Sequence, residues 1–225
     1  LAAILATAAA GWALMRRALP AEPPSGFPLD RANRYFFGSL AAILFYSILM
    51  NADIVMVKIF FPDDDLYAPY ARASVIGRLI VFLSQPLAGA LFPKVVARKG
   101  MTPESLGLLL RATVLGAVLI GAVTGFFVLF PRLPLLLLFD DFAASPGTVL
   151  LVRAACAGMA PLGLVFLIMN FELAQNRFGL LVPLGLFAAV YVVGFSLYHP
   201  SPLWAAVWLL AASLASALAL TGQVD

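Results

Sequence analysis

The chain has 225 residues, of which 63% are hydrophobic and 11% charged, whereas soluble domains average about 45–50% apolar and about 25% charged residues. Its net charge is +3, and its polar residues are too few to cover a water-soluble globule. A soluble enzyme, a nucleic-acid-binding domain and a disordered chain are therefore excluded. Cys156 is the one cysteine and His199 the one histidine, so neither an internal disulfide nor an imidazole metal site is expected, and no cofactor is predicted.

Six stretches are apolar enough to cross a bilayer as helices, which takes about 20 residues each. In chain order they are 35–61, 70–92, 105–130, 148–173, 179–198 and 203–221. Proline-rich breaks separate them, and none shows the period of two that barrel strands require. The predicted fold class is all-α, a polytopic membrane helical bundle.

The chain before the first complete stretch is predicted to have two parts. Residues 1–15 are apolar and open without a basic leader, so they indicate the truncated tail of a preceding membrane helix rather than a signal peptide. Residues 16–34 contain prolines and arginines and indicate a cytoplasmic linker. The predicted domains are therefore a helix tail at 1–15, a linker at 16–34 and a six-helix bundle at 35–225.

The basic residues of the loops predict the orientation of the bundle. Alternate loops on one side carry eight of them: Arg16, Arg17, Arg31, Arg34, Lys94, Arg98, Lys99 and Arg177. The loops on the other side carry one basic residue, Arg132, with the aspartates Asp63, Asp64, Asp65, Asp140 and Asp141. By the positive-inside rule, the first side is cytoplasmic and the aspartate-rich turns face outward.

Charged residues within the predicted spans need a reason, because a charge at mid-bilayer costs about 2.5–3.5 kcal/mol on insertion scales. Lys58 lies near the outer end of its helix, where its side chain can reach the interface. Asp53 and Arg78 lie at similar depths on adjacent helices, so an ion pair between them fits, either as a structural pair or as the lining of a water-filled pathway. Arg153 enters from the same outer side on another helix. Cationic helices that converge from one side favour an anionic ligand, since guanidinium binds phosphate in a bidentate manner.

Two prolines lie in the middle of predicted spans. Pro86 follows Gln85 in the second complete stretch, and Pro161 lies between two glycines in the fourth. Proline removes a helix hydrogen bond, and broken helices line the cavities of many transporters, so both residues are predicted bending points. The competing interpretation is that proline is simply more frequent in membrane helices than in soluble ones.

One stretch carries a recognisable family pattern. It reads Asn51-Ala-Asp53-Ile-Val-Met-Val-Lys58-Ile-Phe-Phe-Pro62, then Ala68-Pro-Tyr70, then Ile76-Gly77-Arg78, and ends with Ala90-Leu-Phe-Pro93-Lys94. This pattern resembles the polysaccharide-biosynthesis branch of the multidrug/oligosaccharidyl-lipid/polysaccharide exporter superfamily, whose members flip lipid-linked oligosaccharides and are related to MATE antiporters. The chain departs from the family in the turn, where Ala68-Pro69-Tyr70 replaces the frequent Gly-x-Tyr.

The resemblance implies a MATE-like fold of two six-helix bundles around a central cavity, of which this chain would be the second bundle. It also implies a multi-pass protein of the bacterial cytoplasmic (inner) membrane that exports an anionic lipid-linked sugar by alternating access. The expected partners are that substrate, membrane lipid and a missing N-terminal bundle, and no nucleic acid. Within this half, Arg78 and Arg153 are predicted to bind the substrate anion, with Asp53 orienting Arg78 and Lys58 as a further cavity residue.

Other functions remain open from the sequence. A MATE-like cation-coupled antiporter would need an acid in its cavity, and Asp53 is the candidate. A membrane glycosyltransferase that uses polyprenyl-phosphate sugars would need catalytic acids on the outer face, which Asp140 and Asp141 or the Asp63 turn could supply. A non-transporting scaffold would leave Arg78 without a role. No nucleotide-binding loop or hydrolase motif is present, so no enzyme activity, catalytic residue or metal site is predicted.

The orientation is testable by cysteine labelling. In the full-length protein with Cys156 replaced by alanine, a cysteine at position 64 is expected to react with a membrane-impermeant maleimide added outside intact cells. A cysteine at position 177 is the matched control and is expected to react only after permeabilisation. Labelling of position 64 only after permeabilisation would overturn the predicted orientation.

Overall fold

The structure, a computed structural model, describes residues 29–97, 103–141 and 143–222. The predicted helix tail at 1–15 and most of the predicted linker at 16–34 lie outside the described residues. All regular structure within the described ranges is helical. The helices are α1 Leu29–Phe60, α2 Asp64–Phe82, α3 Ser84–Ala97, α4 Pro103–Leu129, α5 Arg132–Phe139, α6 Pro146–Ala174, α7 Leu181–Leu197 and α8 Leu203–Thr221.

The chain divides into two compact units at a point within α1. The first unit is Leu1–Phe36, of which the described part is the beginning of α1. The second unit is Phe37–Asp225 and contains the rest of the helices.

Five helical segments within the described residues are long and apolar enough to cross a membrane. They are Ala32–Phe60, Asp64–Ala90, Leu110–Leu129, Pro146–Ala174 and Leu203–Thr221. By length and composition the chain is therefore a multi-pass membrane protein, and the predicted all-helical class is confirmed.

The prediction of six complete spans is not confirmed, because the stretch 179–198 forms a shorter helix. The helix α7 has 17 residues, which at 1.5 Å per residue gives about 25 Å against a hydrocarbon core of about 30 Å. It stops where Tyr198 turns to an extended backbone, with φ −137° and ψ 98°, just before Pro200. Gly179 and Leu180 form the turn at its other end.

Several helix boundaries differ from those predicted. The helix α1 begins at Leu29, within the predicted linker 16–34, and α3 continues to Ala97 beyond the predicted end at residue 92. The helix α2 begins at Asp64 rather than at residue 70, and Pro69 lies inside it. Asp63 precedes it in an extended conformation, and Asp64 and Asp65 in its first turn favour this start because negative charge stabilises a helix N-terminus. The outer connection 131–146, predicted as a loop, contains the short helix α5.

The helix α6 is the centre of the bundle. It packs against α2, α3, α4 and α8. In its most apolar 18-residue segment 61% is buried, compared with 11% in the corresponding segment of α4. The helices α1 and α7 complete the core around it, where Leu49 of α1 and Leu184 of α7 belong to one cluster with Leu162 of α6. The exposed side of the bundle carries large apolar side chains such as Leu110, Val118 and Leu129 on α4, as a lipid-facing surface requires.

Two glycines let neighbouring helices approach α6 closely. A β-carbon at Gly77 of α2 would lie 3.0 Å from the carbonyl oxygen of Ala155, and one at Gly158 of α6 would lie 3.0 Å from the carbonyl oxygen of Ala206. The second contact is reinforced by Ser213, whose hydroxyl donates to the carbonyl oxygen of Gly158 at 3.0 Å. Small residues at helix crossings are the usual means of close packing in membranes, where no hydrophobic force drives helices together.

These contacts predict opposite effects for glycine substitutions. Gly77→Ala and Gly158→Ala each push a methyl group against a backbone carbonyl, so we expect a loss of stability of about 1–3 kcal/mol from overpacking. Gly121→Ala is the matched control, because a β-carbon there meets nothing within 4 Å and alanine favours a helix by up to about 1 kcal/mol. Unfolding of the purified variants in detergent measures their stabilities, and we expect Gly121→Ala to be the most stable of the three. Equal effects at the three positions would contradict the packing described.

Candidate functional site: a buried polar cluster

Four polar side chains from α1 and α2 meet inside the apolar bundle. Asp53 of α1 is fully buried, and Tyr70, Ser74 and Arg78 of α2 surround its carboxylate. The α2 residues are spaced four apart, so they form one polar stripe along the helix face towards α1. We refer to Asp53, Tyr70, Ser74 and Arg78 as the buried polar cluster.

Both carboxylate oxygens of Asp53 have donors. Oδ1 accepts a hydrogen bond from Nη2 of Arg78 at 2.9 Å, which is also the ion pair between the two residues. Oδ2 accepts from the hydroxyl of Tyr70 at 3.2 Å and from the hydroxyl of Ser74. Arg78 donates a further bond from Nε to the carbonyl oxygen of Met50 at 3.2 Å. The carboxylate charge is thus compensated by one cation and two hydroxyls.

The two charges of the cluster differ in their exposure. The Asp53 side chain has no exposed surface, whereas 15% of the Arg78 side chain is exposed. Within the described residues, Nε and Nη2 of Arg78 have partners and Nη1 has none. In this conformation Asp53 can act only through its neighbours, whereas the guanidinium of Arg78 can still contact a group outside the cluster.

The cluster has a neighbour that hydrogen-bonds to none of its members. Tyr191 of α7 is fully buried and close enough to interact electrostatically with both Asp53 and Arg78. Among the residues that the structure describes, its hydroxyl has no hydrogen-bond partner. The tyrosine therefore fills space beside the cluster without taking part in it.

Lys58 and Arg153, the other predicted cavity residues, lie apart from the cluster. The ammonium of Lys58 is bound at the outer turn, 3.0 Å from Asp64 and 3.2 Å from the carbonyl oxygen of Pro62. Arg153 donates from Nε to the carbonyl oxygen of Val128 on α4 at 3.0 Å. The structure thus brings Asp53 and Arg78 together, and it gives Lys58 and Arg153 partners on other elements.

The two predicted bending points have different surroundings. Pro86 is the third residue of α3, just after the helix is interrupted at Leu83. Pro161 lies inside the uninterrupted helix α6 and lines an apolar groove towards α4 and α8. The chain therefore has a break near the first proline and continuous helix at the second.

Sequence reasoning found two of the four cluster members and missed Tyr70 and Ser74. The available signal was the spacing of Tyr70, Ser74 and Arg78, three polar residues four apart in an otherwise apolar helix. It was hidden because the helix was predicted to begin at residue 70, which placed Tyr70 at the outer end of the span. No sequence pattern signals the carbonyl group of Met50, since every residue has one.

No protein-family model, no curated protein and no solved structure matches the chain. The resemblance to the oligosaccharide exporters, and with it the two-bundle fold, therefore stays a prediction.

The hydrogen bonds of the buried polar cluster predict different effects for Tyr70, which belongs to the cluster, and for its neighbour Tyr191. Tyr70→Phe removes a donor to the buried carboxylate of Asp53, so we expect a loss of stability of about 1–2 kcal/mol. Tyr191→Phe is the matched control, because its hydroxyl has no partner to lose, and we expect it to be neutral or stabilising. Thermal unfolding of the purified protein in detergent compares the two. A larger loss for Tyr191→Phe would contradict the hydrogen bonding described.

Proposed function

We propose that this chain is part of a membrane transporter that moves an anionic lipid-linked saccharide, with Arg78 as the contact for the anionic group. The observation that carries the proposal is the guanidinium of Arg78, which is held within the membrane-spanning bundle by Asp53 and Met50 and keeps some exposed surface. An ionisable residue inside a membrane bundle is by default a candidate for a transport pathway. The resemblance of 51–94 to oligosaccharide flippases supports the same class.

The arrangement of donors suggests how Arg78 would act. When an anion reaches the guanidinium, Arg78 can exchange Asp53 for a phosphate oxygen, since guanidinium binds phosphate in a bidentate manner. Asp53 would then keep the hydroxyls of Tyr70 and Ser74 as donors, which lowers the cost of leaving its charge in the bundle. Asp53 is accordingly a positioning residue and Arg78 the substrate contact.

The same geometry weighs against Asp53 as the coupling acid of a cation antiporter. A cation-binding carboxylate needs an open coordination position, but both oxygens of Asp53 are occupied and the side chain has no exposed surface. An incoming cation would also be placed beside the guanidinium of Arg78. We therefore favour an anionic substrate.

In the proposed mechanism the bundle would rock against a second bundle, and access to the anion site would alternate between the two membrane faces. The break at Leu83 lies five residues after Arg78, so motion of α3 relative to α2 could change access to the guanidinium without breaking a continuous helix. This step belongs to the proposal together with the second bundle.

Transport through Arg78 is testable in the full-length protein reconstituted into vesicles, with a fluorescent polyprenyl-pyrophosphate saccharide as probe. Arg78→Ala is expected to reduce flipping by about 10- to 100-fold, because a charge-assisted contact is worth about 1.5–3 kcal/mol. Arg72→Gln is the control of equal charge change, since Arg72 pairs with Asp141 outside the cluster, and it should retain flipping.

A double variant separates transport from folding. Asp53→Asn alone leaves the Arg78 charge unpaired and is expected to lower abundance, because breaking a buried pair costs about 3–5 kcal/mol. Asp53→Asn with Arg78→Gln removes both charges and should restore abundance without restoring flipping. Recovery of flipping in the double variant would show that the pair is structural, and the proposed role of Arg78 would be wrong.

A further inference from the structure

A second cationic site lies where α4 reaches the predicted outer face. The end of α4, the beginning of α5 and the first two turns of α6 line an open cavity of about 480 Å³. Its lining includes two arginines and four apolar residues: Arg132, Arg153, Leu129, Phe130, Leu133 and Val149. Among the described residues, no carboxylate lines the cavity.

We propose that this cavity binds the phosphate headgroup of a membrane lipid, with the first part of the lipid chain against its apolar wall. The proposal concerns a site separate from the buried polar cluster and does not rest on the transport proposed above. Its ligand is a phosphate ester that carries an apolar chain, as in an anionic phospholipid or a polyprenyl phosphate.

The depth of the cavity favours a lipid over a soluble anion. The apolar span of α4 ends at Leu129, and the cavity begins there and continues past Phe130 to Leu133. This places the arginines at the boundary between hydrocarbon and headgroups, where lipid phosphates lie. Leu129, Phe130 and Leu133 are 71%, 53% and 38% exposed, so the cavity opens through an apolar rim.

The local structure orients Arg153 for such a ligand. Its Nε donates to the carbonyl oxygen of Val128, one of the carbonyl groups that the end of α4 leaves without a helical partner. This bond ties the guanidinium to the end of α4, and among the described residues both Nη groups are without a partner. Val149 precedes Arg153 by one turn on the same face of α6, so this face presents an apolar side chain next to a cationic one.

The test measures lipid retention by native mass spectrometry of the full-length protein in detergent. The probes are dioleoyl phosphatidic acid and dioleoylglycerol, which share their chains and differ in the phosphate. We expect phosphatidic acid to be retained and dioleoylglycerol to be lost. Arg153→Gln and Arg132→Gln should each weaken retention by about tenfold or more, and Arg153→Lys should weaken it less, because lysine keeps the charge and loses the bidentate geometry.

Two comparisons decide the outcome. Arg72→Gln removes an outer arginine that does not line the cavity and should retain phosphatidic acid as the natural protein does. Equal retention of the two lipids, or an equal loss in Arg72→Gln, would overturn the proposal. Displacement of the lipid by millimolar inorganic phosphate would assign the cavity to a soluble anion and overturn it as well.

A folding control accompanies Arg153→Gln, because this variant also removes the bond to Val128. Its thermal unfolding is compared with that of Arg132→Gln. Arg132 lines the cavity from α5 and does not donate the bond to Val128. If Arg153→Gln unfolds early, Arg132→Gln alone decides, and unchanged retention in that variant overturns the proposal.

Discussion

The ion pair between Asp53 and Arg78 is the constraint on which the arrangement of α1 and α2 depends. A carboxylate without exposed surface is tolerated in an apolar bundle only when its charge is compensated, and among the described residues every donor to Asp53 comes from α2. The polar stripe on α2 fits the carboxylate in one register, since a shift by one helical position would turn the stripe away from α1. The pair therefore sets the register of α1 and α2 inside the bundle, whereas the ion pair between Lys58 and Asp64 joins the same two helices at the exposed outer turn.

The helix α6 has the complementary role of holding the remaining helices at short distance. At Gly77, Gly158 and Ser213, its contacts with α2 and α8 use small residues, so backbone lies close to backbone at these points. The face of α2 that carries Gly77 packs on α6, and the next residue, Arg78, turns towards α1. Close packing on one side of α2 thus fixes the position of the charge on the other side.

Composition and hydropathy were sufficient to predict the all-helical membrane class, because the excess of apolar residues leaves no other environment. They were insufficient for helix ends. The helix α2 begins before Pro69 because acidic residues stabilise its N-terminus. The helix α7 is three residues shorter than the predicted stretch 179–198 because Gly179 and Leu180 form a turn before it and the backbone leaves the helix at Tyr198. Apolar composition continues through such points, so hydropathy alone does not register them.

The sequence also suggested the pair of Asp53 and Arg78 from depth and charge sign alone. It did not separate Arg153 from that pair, because depth along a helix says nothing about which neighbour the side chain faces. Only the packing of α6 between α2 and α4 shows that Arg153 bonds to the end of α4. Rotation about the helix axis is the information that hydropathy patterns carry least well when a helix is apolar on all sides.

The shortness of α7 has a consequence for the surrounding bilayer. An apolar helix of 17 residues is about 5 Å shorter than the hydrocarbon core, and such hydrophobic mismatch is relieved when nearby lipids thin or when flanking residues reach outward. Aromatic side chains suited to an interface lie at one end of α7, where the ring of Tyr198 packs edge-on against Trp204. The backbone carbonyl oxygen of Tyr198 accepts a hydrogen bond from Nε1 of Trp208. If α7 crosses the bilayer, the membrane beside it is therefore expected to be thinner than the membrane beside the longer helices.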